Sequence, residues 1–191
     1  MAQSSSPHPG VALGGVFLSL FGALWLAGAS IRYLGASPAV LALIGAGAAA
    51  LAAWGVALFR RRRAAGSAPD AAVRKRLARA FMLVNAVQWS LIGTLILALN
   101  VTGHVAWIVP GVVFLVGIHF VPLARLFRYR GYDATAAALV AVAALDALAG
   151  AGEHAVAPSL LATGAILWIS AIVLLRTMQS ARVVRVPLRV V

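Results

Sequence analysis

The sequence predicts an all-α, polytopic membrane protein: one membrane domain over residues 1–191, with six transmembrane helices in three hairpins and both chain ends cytoplasmic. Three observations carry this. Of 191 residues, 63% are hydrophobic and only 10% charged, with a mean hydropathy of +0.98; a soluble domain carries about 25% charged residues. Long apolar runs recur, and about 20 residues at 1.5 Å each cross the hydrocarbon core. Arginine and lysine gather in short clusters between those runs.

The first helix is expected over about 11–31, from Val11 to Ile31. Its "AGA" at 27–29 imitates a signal-peptidase site. The preceding "MAQSSSPHPG" has no Lys or Arg and the apolar run is long, so a retained helix is expected. "LGASP" makes a turn, and Pro38 opens the second helix, 38–59, because its fixed φ suits a first helical position. A basic cytoplasmic loop, 60–79, follows. Within it Asp70 can cap a helix beginning at Ala71, so the third helix starts as a basic stretch before its apolar part, 80–99. "NVTGH" leads into the fourth helix, 104–124. The fifth, 132–149, is rich in alanine, and "GAGEHAVAP" connects it to the sixth, 157–175.

The orientation follows from counting charges. With Arg60–Arg63 inside, six crossings also place the clusters at 74–79, 125–130 and 176–189 inside. Fifteen of the sixteen basic residues are then cytoplasmic, and only Arg32 is outside. Cytoplasmic enrichment of Lys and Arg in short loops is the rule, and a missed helix would scramble the split. The same placement argues against nucleic-acid binding despite a net charge of +12, since the arginines do not form one basic face with interleaved aromatics. "LFRRRR", "LARLFR" and "VLLRT" end the inward-going helices alike. That fits parallel repeats, but orientation alone demands as much.

Small residues at i and i+4, such as Ala42, Ala46 and Ala50 in the second helix and Ala134 and Ala138 in the fifth, let backbones approach closely in lipid. These two helices are therefore expected to be central.

Polar groups within apolar helices cost free energy unless paired, which makes them candidate functional groups. Asn85 and Gln88 share a face of the third helix at i and i+3. Asn85 lies six residues past Arg79, and His119 six residues before Arg125, each about 9 Å from the basic end. Asn85, Gln88 and His119 are expected to form one hydrogen-bonded group, with Arg125 at its mouth and Arg79 and Asp133 just below. Pro122 and Pro110 free the carbonyls of Ile118 and Ala106, so the fourth helix is expected to bend. A histidine at such depth suits ligand binding or proton exchange; helix-to-helix hydrogen bonding is the plainer role. Asp146 is expected near the outer surface, within reach of Arg32 or His154, and an Asp146–Arg32 structural ion pair would explain the one basic residue on that side.

Enzyme signatures are absent. The sequence has no His-Glu-x-x-His pair, phosphate loop or Gly-x-Ser-x-Gly elbow, and its four acidic residues are scattered. No cysteine is present, which removes thiol and Cys-zinc chemistry, and no cofactor or metal is expected. Glu153-His154 offers two ligands at most. The tail "ARVVRVPLRVV" alternates basic and apolar residues and suits either disorder or the anionic inner-leaflet lipids, where each Lys or Arg contributes about 1 kcal/mol.

The segment "GIHFVPLARLF", Gly117–Phe127, with "NAVQW", Asn85–Trp89, resembles an element of small uncharacterised bacterial integral membrane proteins with a Gly-[Ile/Leu]-His-Phe-x-Pro-Leu-Ala-x-Leu-Phe core. The resemblance covers about residues 80–140. It implies a bacterial inner (plasma) membrane and one site shared by the third and fourth helices, and it brings no activity. Two functions follow as expectations. The first is a small transporter-like or ligand-binding protein using Asn85, Gln88, His119 and Arg125. The second is a non-catalytic scaffold whose basic loops bind lipid or a partner, a second copy of the chain (a homo-oligomer) included.

Overall fold

The computed structural model describes residues 10–64, 71–150 and 153–180. Six helices account for most of them: α1 (Gly10–Leu34), α2 (Pro38–Ala64), α3 (Ala71–Val101), α4 (Ile108–Phe127), α5 (Gly131–Leu148) and α6 (Glu153–Ser180). A 3₁₀ turn, Val105–Trp107, precedes α4, and the described residues contain no strand. All six helices are long and apolar enough to cross a bilayer. Satisfying every backbone group within a helix is the open route across hydrocarbon for a chain without strands.

The ends of the helices follow local chemistry. Gly35 and Ala36 both take positive φ (60° and 62°) in the turn before Pro38. At the end of α4, Arg128 is left-handed, with φ 51° and ψ 42°. Its N–H donates to the Arg125 carbonyl, and the Tyr129 N–H donates to that of Ala124 at 3.1 Å. This paired arrangement closes a helix by satisfying carbonyls that have lost their own partners. α3 begins at Ala71 as a basic helix, as expected, while Asp70 lies outside the described residues. Three expected ends move. Arg60–Arg63 extend α2 instead of forming a loop, α6 begins at Glu153, well before Ala157, and it runs on to Ser180. Pro110 falls in the first turn of α4, where the missing N–H has no helical acceptor to lose, so it frees no interior carbonyl. Pro122 does sit inside α4. The tail 181–191 is outside the described residues.

The core lies along α6. α1 packs on it over most of its length, α5 on a second side, and α2 and α4 touch it more lightly. The α1–α6 crossing is set by glycine. A Cβ on Gly164 would lie 2.9 Å from the Gly22 carbonyl oxygen, and one on Gly22 would lie 3.2 Å from the Gly164 carbonyl oxygen. Close approach through small residues is how helices gain packing energy where lipid offers no hydrophobic drive. Trp168 then reaches across, its indole N–H donating to the Ser19 carbonyl at 2.9 Å. Leu167, Leu174, Leu175 and Met178 complete a buried stripe on α6. α5 meets α4 at Gly117, whose Cβ would come 3.1 Å from the Val140 backbone nitrogen. It meets α6 through Thr135 Oγ1 and Ser170 Oγ, 2.8 Å apart.

The expectation of two central helices holds for α5 and fails for α2. On α2 only Ala48, Gly55, Leu58 and Arg62 are buried. Its small residues are spread all round the helix, so most face outward; Gly55 is a buried exception, where a Cβ would lie 3.2 Å from the Ala12 carbonyl oxygen of α1. α3 is the least packed helix: only Ile92 is buried, and its main neighbour is α4.

Several contacts gather one end of the bundle. Gly14 lies against Tyr132 and Leu174, Gly15 against Leu175, and Gly55 against Val16. Arg62 donates to the Met178 carbonyl. The start of α1, the ends of α2, α4 and α6, and the start of α5 thus share one end, which carries the basic clusters of α2 and α4.

Candidate functional site

α3 stands off from α1 and leaves a cavity of about 820 Å³ between α1, α3 and α4. Aromatic rings bridge the gap. Phe17 and Phe81 have centroids 6.1 Å apart, Phe21 and Trp89 6.2 Å, and Phe81 and Phe127 6.0 Å. Rings at such separations attract each other in tilted and edge-on arrangements. They hold α3 across the cavity without closing it.

The α3 wall is one helical stripe: Arg74, Leu77, Ala78, Phe81, Asn85, Gln88, Trp89 and Ile92. The i, i+3 and i+4 spacing puts these on one face. The α4 wall repeats the pattern with Val112, Val116, His119, Phe120, Leu123 and Phe127. Asn85, Gln88 and His119 therefore face one cavity, and each is half-buried.

They do not form the hydrogen-bonded group expected of them. Asn85 Nδ2 donates at 2.8 Å to the carbonyl of Phe81 in its own helix. No hydrogen bond joins the three side chains. Asn85 Oδ1, the Gln88 amide and the His119 imidazole are left as polar groups on a mostly apolar wall.

Arg125 is not at the mouth. It is exposed and off the lining, since six residues from His119 turn the helix by about 240° beyond a full circle. Arg79 and Asp133 are also off the lining and exposed. The guanidinium groups at the basic end of the cavity belong to Arg63 on α2 and Arg74 on α3. Arg74 was legible: eleven residues separate it from Asn85, close to three whole turns, so the two share a face. Arg63 was not, because its approach depends on how α2 packs. Tyr132, buried beside Gly14, completes the lining from α5.

The Arg32–Asp146 pair does not form. Asp146 is buried and accepts a hydrogen bond from the Ser159 hydroxyl on α6, whereas Arg32 is exposed at the end of α1. A serine on a packed neighbour satisfies the carboxylate more directly than a cation on a free helix end. The side chains of Glu153 and His154 lie outside the described residues, and no metal-binding group of three occurs among those described.

Comparison with protein-family models, curated proteins and solved structures finds no match to the chain.

Proposed function

We propose that this protein binds a hydrophobic or amphipathic small molecule in the cavity between α1, α3 and α4, with Asn85, Gln88 and His119 as its polar contacts. The observation that carries the reading is the cavity itself. Its volume falls within the 300–1,000 Å³ common to small-molecule sites, and it combines apolar walls with a few convergent polar groups. A purely structural trio would be hydrogen-bonded from helix to helix, and this one is not. The basic end is the cytoplasmic end, both chain ends lie there, and the membrane is a bacterial inner membrane. The charge count supports the orientation, and the bacterial resemblance of Gly117–Phe127 supports the location. That segment supplies four lining residues, His119, Phe120, Leu123 and Phe127.

A scaffold role has one observation in its favour. α3 is lightly packed and presents Met82, Leu83 and Val87 outward, a face suited to lipid or to a second copy of the chain.

The test is saturable binding of an uncharged, environment-sensitive apolar dye to the full chain in nanodiscs. Val116→Trp, which puts an indole into the cavity, weakens binding, and Leu43→Trp, on an exposed face, leaves it intact. Equal binding by all three proteins assigns the dye to the surrounding lipid and removes the proposal.

A further inference from the structure

We infer that the ligand is a single-chain anionic amphiphile: a long-chain carboxylate whose head group lies between Arg63 and Arg74 and whose tail carries a hydroxyl or carbonyl near mid-chain. The inference rests on the cavity reading above and names the class of its ligand.

Charge is the first argument. Among the described residues, Arg63 and Arg74 are the only arginine or lysine side chains on the lining, and no Asp or Glu lines it. Both arginines are exposed, and neither has a hydrogen-bond or ion-pair partner among the described residues. Two guanidinium groups with no partner among the described residues, at one end of an apolar slot, are a site for a carboxylate, which each can grip with charge-assisted hydrogen bonds. A cationic head would meet repulsion from both.

Shape is the second. The cavity follows α1 from Leu13 to Trp25, twelve residues or about 18 Å. Behind the arginines its walls are Leu13, Phe17, Phe81, Phe120 and Leu123, which a hydrocarbon tail satisfies and a compact polar metabolite does not. About 820 Å³ suits one chain better than a two-chain phospholipid.

The polar trio gives the third. Asn85 is eleven residues beyond Arg74, about 16 Å along the same stripe. An unbroken hydrocarbon tail would cover Asn85 Oδ1, Gln88 and His119 without satisfying them, which is costly in an apolar site. A hydroxyl or carbonyl at that depth gives them a partner. The lining continues past Asn85 to Ile92, so this second polar station falls partway along the slot and not at its far end.

The experiment measures displacement of the apolar dye from the full chain in neutral-lipid nanodiscs by three probes: stearate bearing a mid-chain hydroxyl, plain stearate, and the methyl ester of the hydroxylated acid. The hydroxylated acid should compete best, and loss of either polar group should weaken competition roughly tenfold, as expected for a charge-assisted contact or a buried unpaired group. The double variant Arg63→Gln/Arg74→Gln should erase the difference between acid and ester. The Lys/Lys counterpart, which keeps charge and reports on folding, should retain most of it. The Gln88→Leu/His119→Leu variant should erase the difference between hydroxylated and plain stearate. Acid and ester competing equally, or an acid preference unchanged by Arg63→Gln/Arg74→Gln, overturns the anionic head group while the cavity reading stands. Equal competition by hydroxylated and plain stearate overturns the mid-chain group. A dye that never binds saturably removes both the inference and the reading beneath it.

Discussion

Replacing Gly164 with alanine tests the packing that holds the two longest-paired helices together. The added Cβ would sit 2.6 Å from Leu26 Cγ and 2.9 Å from the Gly22 carbonyl oxygen. The leucine can rotate away, but the carbonyl belongs to a packed helix and cannot. α1 and α6 must therefore separate, and they form the most extensive helix pair in the molecule. Overpacking of this kind costs about 1–3 kcal/mol. Alanine's better helix propensity returns up to about 1 kcal/mol. The net expectation is a destabilisation of about 1–2 kcal/mol, since the contact involves backbone. Gly45→Ala and Gly93→Ala are the controls, because a Cβ at either meets nothing within 4 Å. Each should stabilise by about 0.5–1 kcal/mol through propensity alone. Reversible unfolding in mixed micelles, followed by denaturant titration, gives all three values. If Gly164→Ala matches the two controls, the glycine crossing does not exist and the placement of α1 on α6 is wrong.

Other substitutions probe single interactions. Arg128→Gly should raise stability by about 1 kcal/mol, because glycine takes the left-handed conformation that arginine is held in, and thermal unfolding reads the gain. Asp146→Ala should cost about 1–3 kcal/mol by removing the hydrogen bond between the buried Asp146 and the Ser159 hydroxyl, with Asp146→Asn recovering part of the loss. Thr163→Val should be neutral or stabilising, since the buried Thr163 hydroxyl has no partner and valine keeps its shape. Trp168→Phe removes a hydrogen bond to the Ser19 carbonyl and should cost about 0.5–1.5 kcal/mol before any packing change is counted.

Class and helix number were legible because hydrocarbon leaves a chain without strands little choice but long apolar helices. So was the shared face of Asn85 and Gln88, which needs only helix periodicity. Which helices are central was not legible. Alanine-rich stretches occur on α2 and α5 alike, and only tertiary packing shows that α2 turns most of its small residues outward while Gly22 and Gly164 make the close crossing. The arginine at the mouth was misassigned for a related reason. Arg125 lies on α4 at the wrong angle to His119, and depth alone counts turns without counting direction. Asp146 was matched to Arg32 by charge, where a serine on a packed neighbour was the nearer partner.

In the proposed binding site, Gln88 and His119 face a cavity that water and ligand reach. The chain contains no cysteine, so single-cysteine variants report without background. A small water-soluble thiol reagent reacts with thiolate, which forms only where water reaches. Gln88→Cys and His119→Cys should label readily in nanodiscs, Val113→Cys on the buried side of α4 should not, and the hydroxylated stearate should slow the first two. Gln88→Cys and His119→Cys as inert as Val113→Cys would contradict the account, leaving the two residues as polar groups in dry packing.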